Sequence, residues 1–125
     1  VAAAMHSLWF TQMIEYEVPA SRQAALANAL VVRSEQLATR WPALLRVSVQ
    51  ASDDGSRVLQ HLQWQTREQW QAACGYFTDE PFLELLQQHQ ARSVNFAAYQ
   101  VLRSLVRGSD GGLHCEVGAV ADSQR

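Results

Sequence analysis

Five side chains in this sequence stand where the hydrophobic pattern asks for plain apolar residues: Gln12, Arg33, Gln60, Trp64 and His89. Gln12 shares a period-two face with Leu8, Phe10, Ile14 and Tyr16, and Gln60 and Trp64 share one with Val58 and Leu62. At about 100° per residue, Arg33 falls inside the arc of Leu26, Leu30 and Leu37, and His89 falls among Phe82, Leu85 and Leu86. Burying a polar group without a partner costs roughly 2–7 kcal/mol. Five such groups aimed at one layer therefore point to a polar cavity in place of a dry core. A ligand in such a cavity would meet amides, aromatic rings and an Arg or a His. Each residue also has a plainer use. A buried Gln bonds backbone, a lone His satisfies itself within a core, an Arg reaches solvent along a helix edge, and Trp64 and Trp70 fill volume.

The better-known constellations are missing. The sequence has no GxSxG elbow, no Walker or GxGxxG loop and no HExxH. His6, His61 and His114 have no partner at ligand spacing, and Cys74 and Cys115 belong to no CxxC pair, so no metal site is expected and both thiols are read as free. Glu35, Glu68 and Glu84 read as solvated helix charges. Any chemistry must come from amides, aromatics and an Arg or a His.

These side chains have to be held by the elements around them. Strands are expected over Leu8–Val18, Leu45–Ala51, Arg57–Gln65 and Asn95–Val106, and a helix over Ala20–Arg40, which has no internal Gly or Pro. Ser52 to Ser56 suits a hairpin turn. Thr66 with Gln69 starts a short helix that turns Trp70 and Ala73 inward and breaks at Gly75. Asp79, Glu80 and Pro81 start a last helix running from Phe82 to Arg92. The order β, α, β, β, α, β is that of an α+β, ferredoxin-like fold, with one sheet face left for a second copy to cover. A homodimer, as a dimeric α/β barrel, is the expected form.

The domain is expected to span residues 5–106. Residues 107–125 hold four of the six glycines. They read as a disordered tail, or as an edge strand through Leu113, Cys115 and Val117 that reaches the partner subunit. With 125 residues, 48% of them apolar, and a formal net charge of -2, the chain fits one ordinary globular domain and no nucleic-acid-binding class. No stretch reads as a leader or a membrane span, which leads to a cytoplasmic expectation.

Three stretches of this sequence form a recognisable pattern: Ser52 to Ser56, Gln60 to Thr66, and Phe77 to Phe82 with its Glu80, Pro81 and Phe82. Together they resemble the antibiotic biosynthesis monooxygenase family, and within it the small quinone-forming oxygenases of aromatic polyketide pathways. The resemblance runs from about Leu8 to Val106. In that subfamily an Asn on the first strand, an Asn on the third and a Trp four residues later line the pocket. The matching positions are Gln12, Gln60 and Trp64: the Trp is kept, and each Asn is replaced by an amide on a stem one carbon longer. The resemblance implies a cofactor-independent monooxygenase that oxidises an anthrone-like aromatic to a quinone with dioxygen. Gln12 and Gln60 would donate hydrogen bonds, Trp64 would wall the substrate, and Arg33, Trp70 and His89 would contact it. Haem-degrading relatives carry a proximal His where this chain has Leu86, so haem is not implied. A polyketide cyclase, or a non-catalytic dimeric protein that binds a small molecule, would use the same cavity.

Overall fold

The computed structural model describes residues 9–118. Strand β1, Phe10–Glu17, is followed by a single 3-10 turn at Ala20–Arg22, helix α1 at Gln23–Arg40, and strands β2 at Leu44–Ala51 and β3 at Arg57–Trp64. Helix α2, Arg67–Ala73, leads through a 3-10 turn at Cys74–Phe77 into helix α3, Glu80–Gln88. Strands β4, Arg92–Gln100, β5, Arg103–Arg107, and β6, Leu113–Gly118, complete the chain. The first four strands form one antiparallel sheet in the order β2-β3-β1-β4. This is the expected ferredoxin-like α+β fold.

The register sorts the side chains. Phe10 faces Trp64, Gln12 faces Leu62 and Ile14 faces Gln60 across β1 and β3. These six share the face that packs on the helices, and all are buried with Leu26, Leu30, Leu37, Phe77, Phe82 and Leu86. Local chemistry sets the boundaries. Thr66 Oγ1 accepts from Gln69 N at 3.1 Å and Asp79 Oδ1 from Phe82 N at 3.0 Å, so both expected helix starts are capped by side chains. In the β2–β3 turn, Asp54 Oδ1 accepts from Ser56 N at 2.9 Å, Ser56 Oγ at 2.7 Å and Ser52 Oγ at 2.8 Å. Gly55 sits at φ +81, in the left-handed region that suits glycine.

Two boundaries differ from expectation. Helix α3 stops at Gln88, short of Arg92, because Gln90 takes a left-handed φ of 56 and Ala91 N turns back onto Leu86 O at 2.9 Å. Arg92 instead opens β4 opposite Glu17, to which it donates at 2.6 and 2.9 Å. The expected last strand, Asn95–Val106, is divided after Gln100. That residue pairs with Phe10, the first residue of β1, and Val101 N adds a last bond to Trp9 O at 2.8 Å, beyond which the ladder does not continue among the described residues.

Beyond this point the chain builds its own hairpin, in which β5 pairs with β6 in a separate two-stranded sheet. The segment expected to be a disordered tail or an edge strand carries strand β6 from Leu113 to Gly118, and residues 119–125 lie outside the described residues. Its glycines serve the turn: Gly108 N donates to Gly112 O at 2.8 Å, and Gly111 adopts φ +86. Arg46 Nη2 of β2 meets Glu116 Oε2 of β6 at 3.6 Å. Arg46, Gln63, Thr11 and Tyr99 form one row across the helix-free face of the sheet, so the hairpin lies at that end of the face. Thr11 and Gln63 are buried there. Among the described residues no helix is long and apolar enough to cross a membrane.

Candidate functional site

Two hydrogen-bonded groups occupy the layer between sheet and helices. In the first, the Tyr16 hydroxyl donates to Gln60 Oε1 at 2.6 Å, Gln60 Nε2 donates to Ser34 Oγ at 3.0 Å, and Ser34 Oγ donates to Leu30 O at 2.7 Å. Burial pushes the Tyr16 phenol far above its ordinary range, with the nearby Arg33 charge acting the other way. Tyr16 therefore stays a neutral donor and holds Gln60 in one orientation. In the second group, Trp64 Nε1 donates to Gln12 Oε1 at 3.0 Å.

That bond fixes the Gln12 amide so that its NH2 end points elsewhere, and Gln12 Nε2 is buried with no hydrogen-bond partner. Trp70 Nε1 is buried and unpartnered as well. The Trp70 ring packs on Phe10 with centroids 4.8 Å apart, and Phe10 shares the β1 face with Gln12 two residues on. Leaving such a donor unsatisfied costs about 1–3 kcal/mol. Two at one end of a layer are therefore a feature that calls for an acceptor.

Arg33 and His89 are engaged. Arg33 Nη2 donates to Asp79 Oδ1 at 2.8 Å and Tyr76 O at 2.6 Å, and the guanidinium lies 4.0 Å from the Tyr76 ring centroid and 5.1 Å from that of Phe82. It clamps α1 to the start of α3. His89 caps the end of α3: its Nδ1 lies 2.8 Å from Leu85 O, which can only accept, so this nitrogen carries the proton. The layer thus gathers Gln12, Gln60, Trp64 and Trp70, with Arg33 close enough to act on Tyr16, while His89 serves a helix end.

Sequence reasoning missed Tyr16 and Ser34 as partners. Ser34 carried a signal, since it lies four residues after Leu30 on the buried arc of α1. Tyr16 carried one too, because it shares the β1 face with Gln12 and has a hydroxyl that burial must satisfy. Among the described residues, no group of three or more His, Cys, Asp or Glu side chains stands together. A cleft of about 350 Å³ opens between α1 and β2, lined by Val31, Ser34, Glu35, Ala38, Val47 and Val49. Ser34 joins its wall to the Gln60 chain.

No protein-family model matches the chain, and no curated protein does. Solved structures do. A monooxygenase from the gene ActVA-Orf6 of Streptomyces coelicolor, in complex with Nanaomycin D, superposes with a TM-score of 0.59 at 15% identity over 82% of this chain and 95% of that one. SnoaB from Streptomyces nogalater, described as a cofactor-independent oxygenase, gives 0.56 at 12% identity over 77% of this chain and 95% of its own. A dimeric ferredoxin-like protein from an uncultured marine organism gives 0.59 at 12% identity, covering 84% and 96%. At such identities the likeness is one of fold, and it matches the architecture expected from the sequence.

Proposed function

We propose that the chain is a cofactor-independent monooxygenase that oxidises an electron-rich, anthrone-like polycyclic aromatic to a quinone with dioxygen, working as a homodimer. The observation that carries this reading is the buried, unpartnered Nε2 of Gln12, aimed by the Trp64 indole holding its other end. The fold shared with SnoaB and the ActVA-Orf6 monooxygenase supports it, and the dimeric ferredoxin-like neighbour supports the homodimer. In this reading the substrate loses a proton from its methylene carbon, and the carbanion passes one electron to dioxygen. The radical pair joins as a peroxide, which takes up a proton and collapses to a carbonyl and water. One dioxygen is consumed for each methylene converted.

The protein contributes orientation, exclusion of water and hydrogen bonds to the oxyanion. Gln12 Nε2 is the direct donor, and Trp70 Nε1 joins it when the indole swings from Phe10 to admit the ring system. Gln60 shifts from the donor expected for it to a positioning residue, because both ends of its amide are occupied. Trp64 walls the substrate and orients Gln12. Arg33 supplies positive potential from the roof of the layer. His89 is assigned no substrate contact, since Leu85 O holds its ring.

One observation favours a second reading, a polyketide cyclase or a non-catalytic dimeric protein that binds an aromatic molecule. Gln12 and Trp64 are fully buried, so the layer is closed as it stands. Oxygen-electrode measurements with an anthrone separate the two. The oxygenase takes up one dioxygen per quinone formed and releases no hydrogen peroxide, and Gln12→Leu lowers its turnover per folded molecule by roughly ten- to a thousandfold. Binding of the anthrone with no oxygen uptake above the uncatalysed rate would sink the oxygenase reading and leave the second.

A further inference from the structure

We propose that the chain carries another small-molecule site, outside the Gln12 layer, for a flat aromatic acid. It is the cleft of about 270 Å³ between the end of α1 and the segment from α2 to the cap of α3. Arg40, Trp41, Tyr76 and Asp79 line it, together with the small residues Ala72, Ala73 and Gly75. The small residues leave a slot, and the two aromatic side chains give it apolar walls with room for one or two fused rings.

Charge decides the rest of the ligand. The one carboxylate in the lining, Asp79, is occupied: its Oδ1 accepts from Arg33 Nη2 at 2.8 Å and from Phe82 N at 3.0 Å. Arg33, stacked 4.0 Å from the Tyr76 centroid, already balances that charge and has a buried Nε with no partner. Arg40 is exposed and has no ion-pair or hydrogen-bond partner for its guanidinium among the described residues. The cleft is therefore positive by about one charge, and that charge sits on a planar fork able to take a carboxylate bidentately. A ring on Trp41 and Tyr76 with its acid group toward Arg40 uses every feature of the lining. A cationic or purely apolar ligand leaves Arg40 unused.

The test is calorimetric titration of the full chain with 2-naphthoate and, in parallel, with the neutral 2-naphthamide. The acid is expected to bind with a Kd below about 1 mM. Arg40→Gln is expected to raise that Kd roughly three- to tenfold while leaving the amide unaffected, the size of an exposed charge-assisted contact. A Cβ at Gly75, which lines the slot, would meet nothing within 4 Å, so Gly75→Leu adds bulk at the lining without a clash in the fold and should abolish binding of both probes. Ala72→Phe, on an exposed position of the same wall, provides a second block if the first variant is unstable. Gln12→Leu should leave 2-naphthoate binding unchanged, which keeps this result apart from the oxygenase reading. The absence of saturable binding, equal affinity for acid and amide in both wild type and Arg40→Gln, or binding that survives both blocking variants would overturn the proposal.

Discussion

At the scale of single residues, Tyr16 and Gln60 form a matched buried pair, and their energetics lie in the matching. Gln60 Oε1 and the Tyr16 hydroxyl are each 2% exposed or less at the residue level and have one another at 2.6 Å. Tyr16→Phe leaves the Gln60 acceptor buried and alone, which should cost roughly 1–3 kcal/mol in urea unfolding. Gln60→Leu leaves the phenol in the same position and should cost a similar amount. Replacing both removes the orphan along with the bond, so the double variant should be more stable than the sum of the singles by about 1 kcal/mol or more. Strict additivity would show that the two side chains act independently. The presence of Gln12 and Gln60 on a helix-facing side was legible in the sequence, because period-two parity depends only on neighbours along the chain. Their partners were not. Tyr16 and Gln60 are 44 residues apart, and which hydroxyl meets which amide depends on the β1–β3 register and on where α1 lies over it.

At the scale of elements, the starts of α2 and α3 and the end of α1 at Arg40 were legible, and the start of α1 and the end of α3 were not. A start is signalled by a side chain that can cap, and Thr66 and Asp79 do so as their types predict. The end of α3 depends on a backbone conformation at Gln90 that no residue type announces. A non-glycine residue at φ 56 is held there against its own preference, so Gln90→Gly should stabilise the fold by roughly 0.5–1 kcal/mol, read as a rise in urea midpoint at constant slope. A midpoint unchanged or lowered would mean that Gln90 makes compensating contacts. The β2–β3 turn gives a pH-dependent test. Hydrogen bonds from Ser56 and Ser52 pull the Asp54 carboxyl down to about 2. Its folded value thus lies below its unfolded one. The stability it adds is complete above the unfolded value near 4 and is lost as pH falls through the folded value near 2. Asp54→Ala should therefore lower Tm at pH 7, and the gap from wild type should close between about pH 4 and pH 2. A gap constant across that range would show that the carboxylate charge is irrelevant to the turn.

At the scale of the whole molecule, the two faces of the sheet have different coverings. Helices α1 to α3 pack on one, and on the other the β5–β6 hairpin lies only at the end marked by Arg46, Gln63, Thr11 and Tyr99. The rows that remain hold Met13, His61 and Ala97 and then Glu15, Leu59 and Asn95. Large apolar side chains follow one another from the end of β4 into the hairpin: Tyr99, Leu102, Leu105, Val106 and Leu113 are each at least half exposed. A succession of that kind is what an interface contributes, since isolated exposed hydrophobes are ordinary but five in one short stretch are not. The sequence showed that a face would be bare, because four strands with helices on one side leave the other open. It did not show that part of the supposed tail would occupy that face, since the pairing of β5 with β6 arises only where β1 runs out. If the proposed homodimer forms there, size-exclusion chromatography with light scattering should give twice the mass of one chain at about 10 micromolar, consistent with a standard interface of roughly 1,200–2,000 Å². Leu102→Asp with Leu105→Asp places two charges in that stretch and should shift the protein to a monomer of unchanged circular dichroism. Two outcomes would remove the interface from this face: a wild-type protein already monomeric at that concentration, or a double variant that remains dimeric.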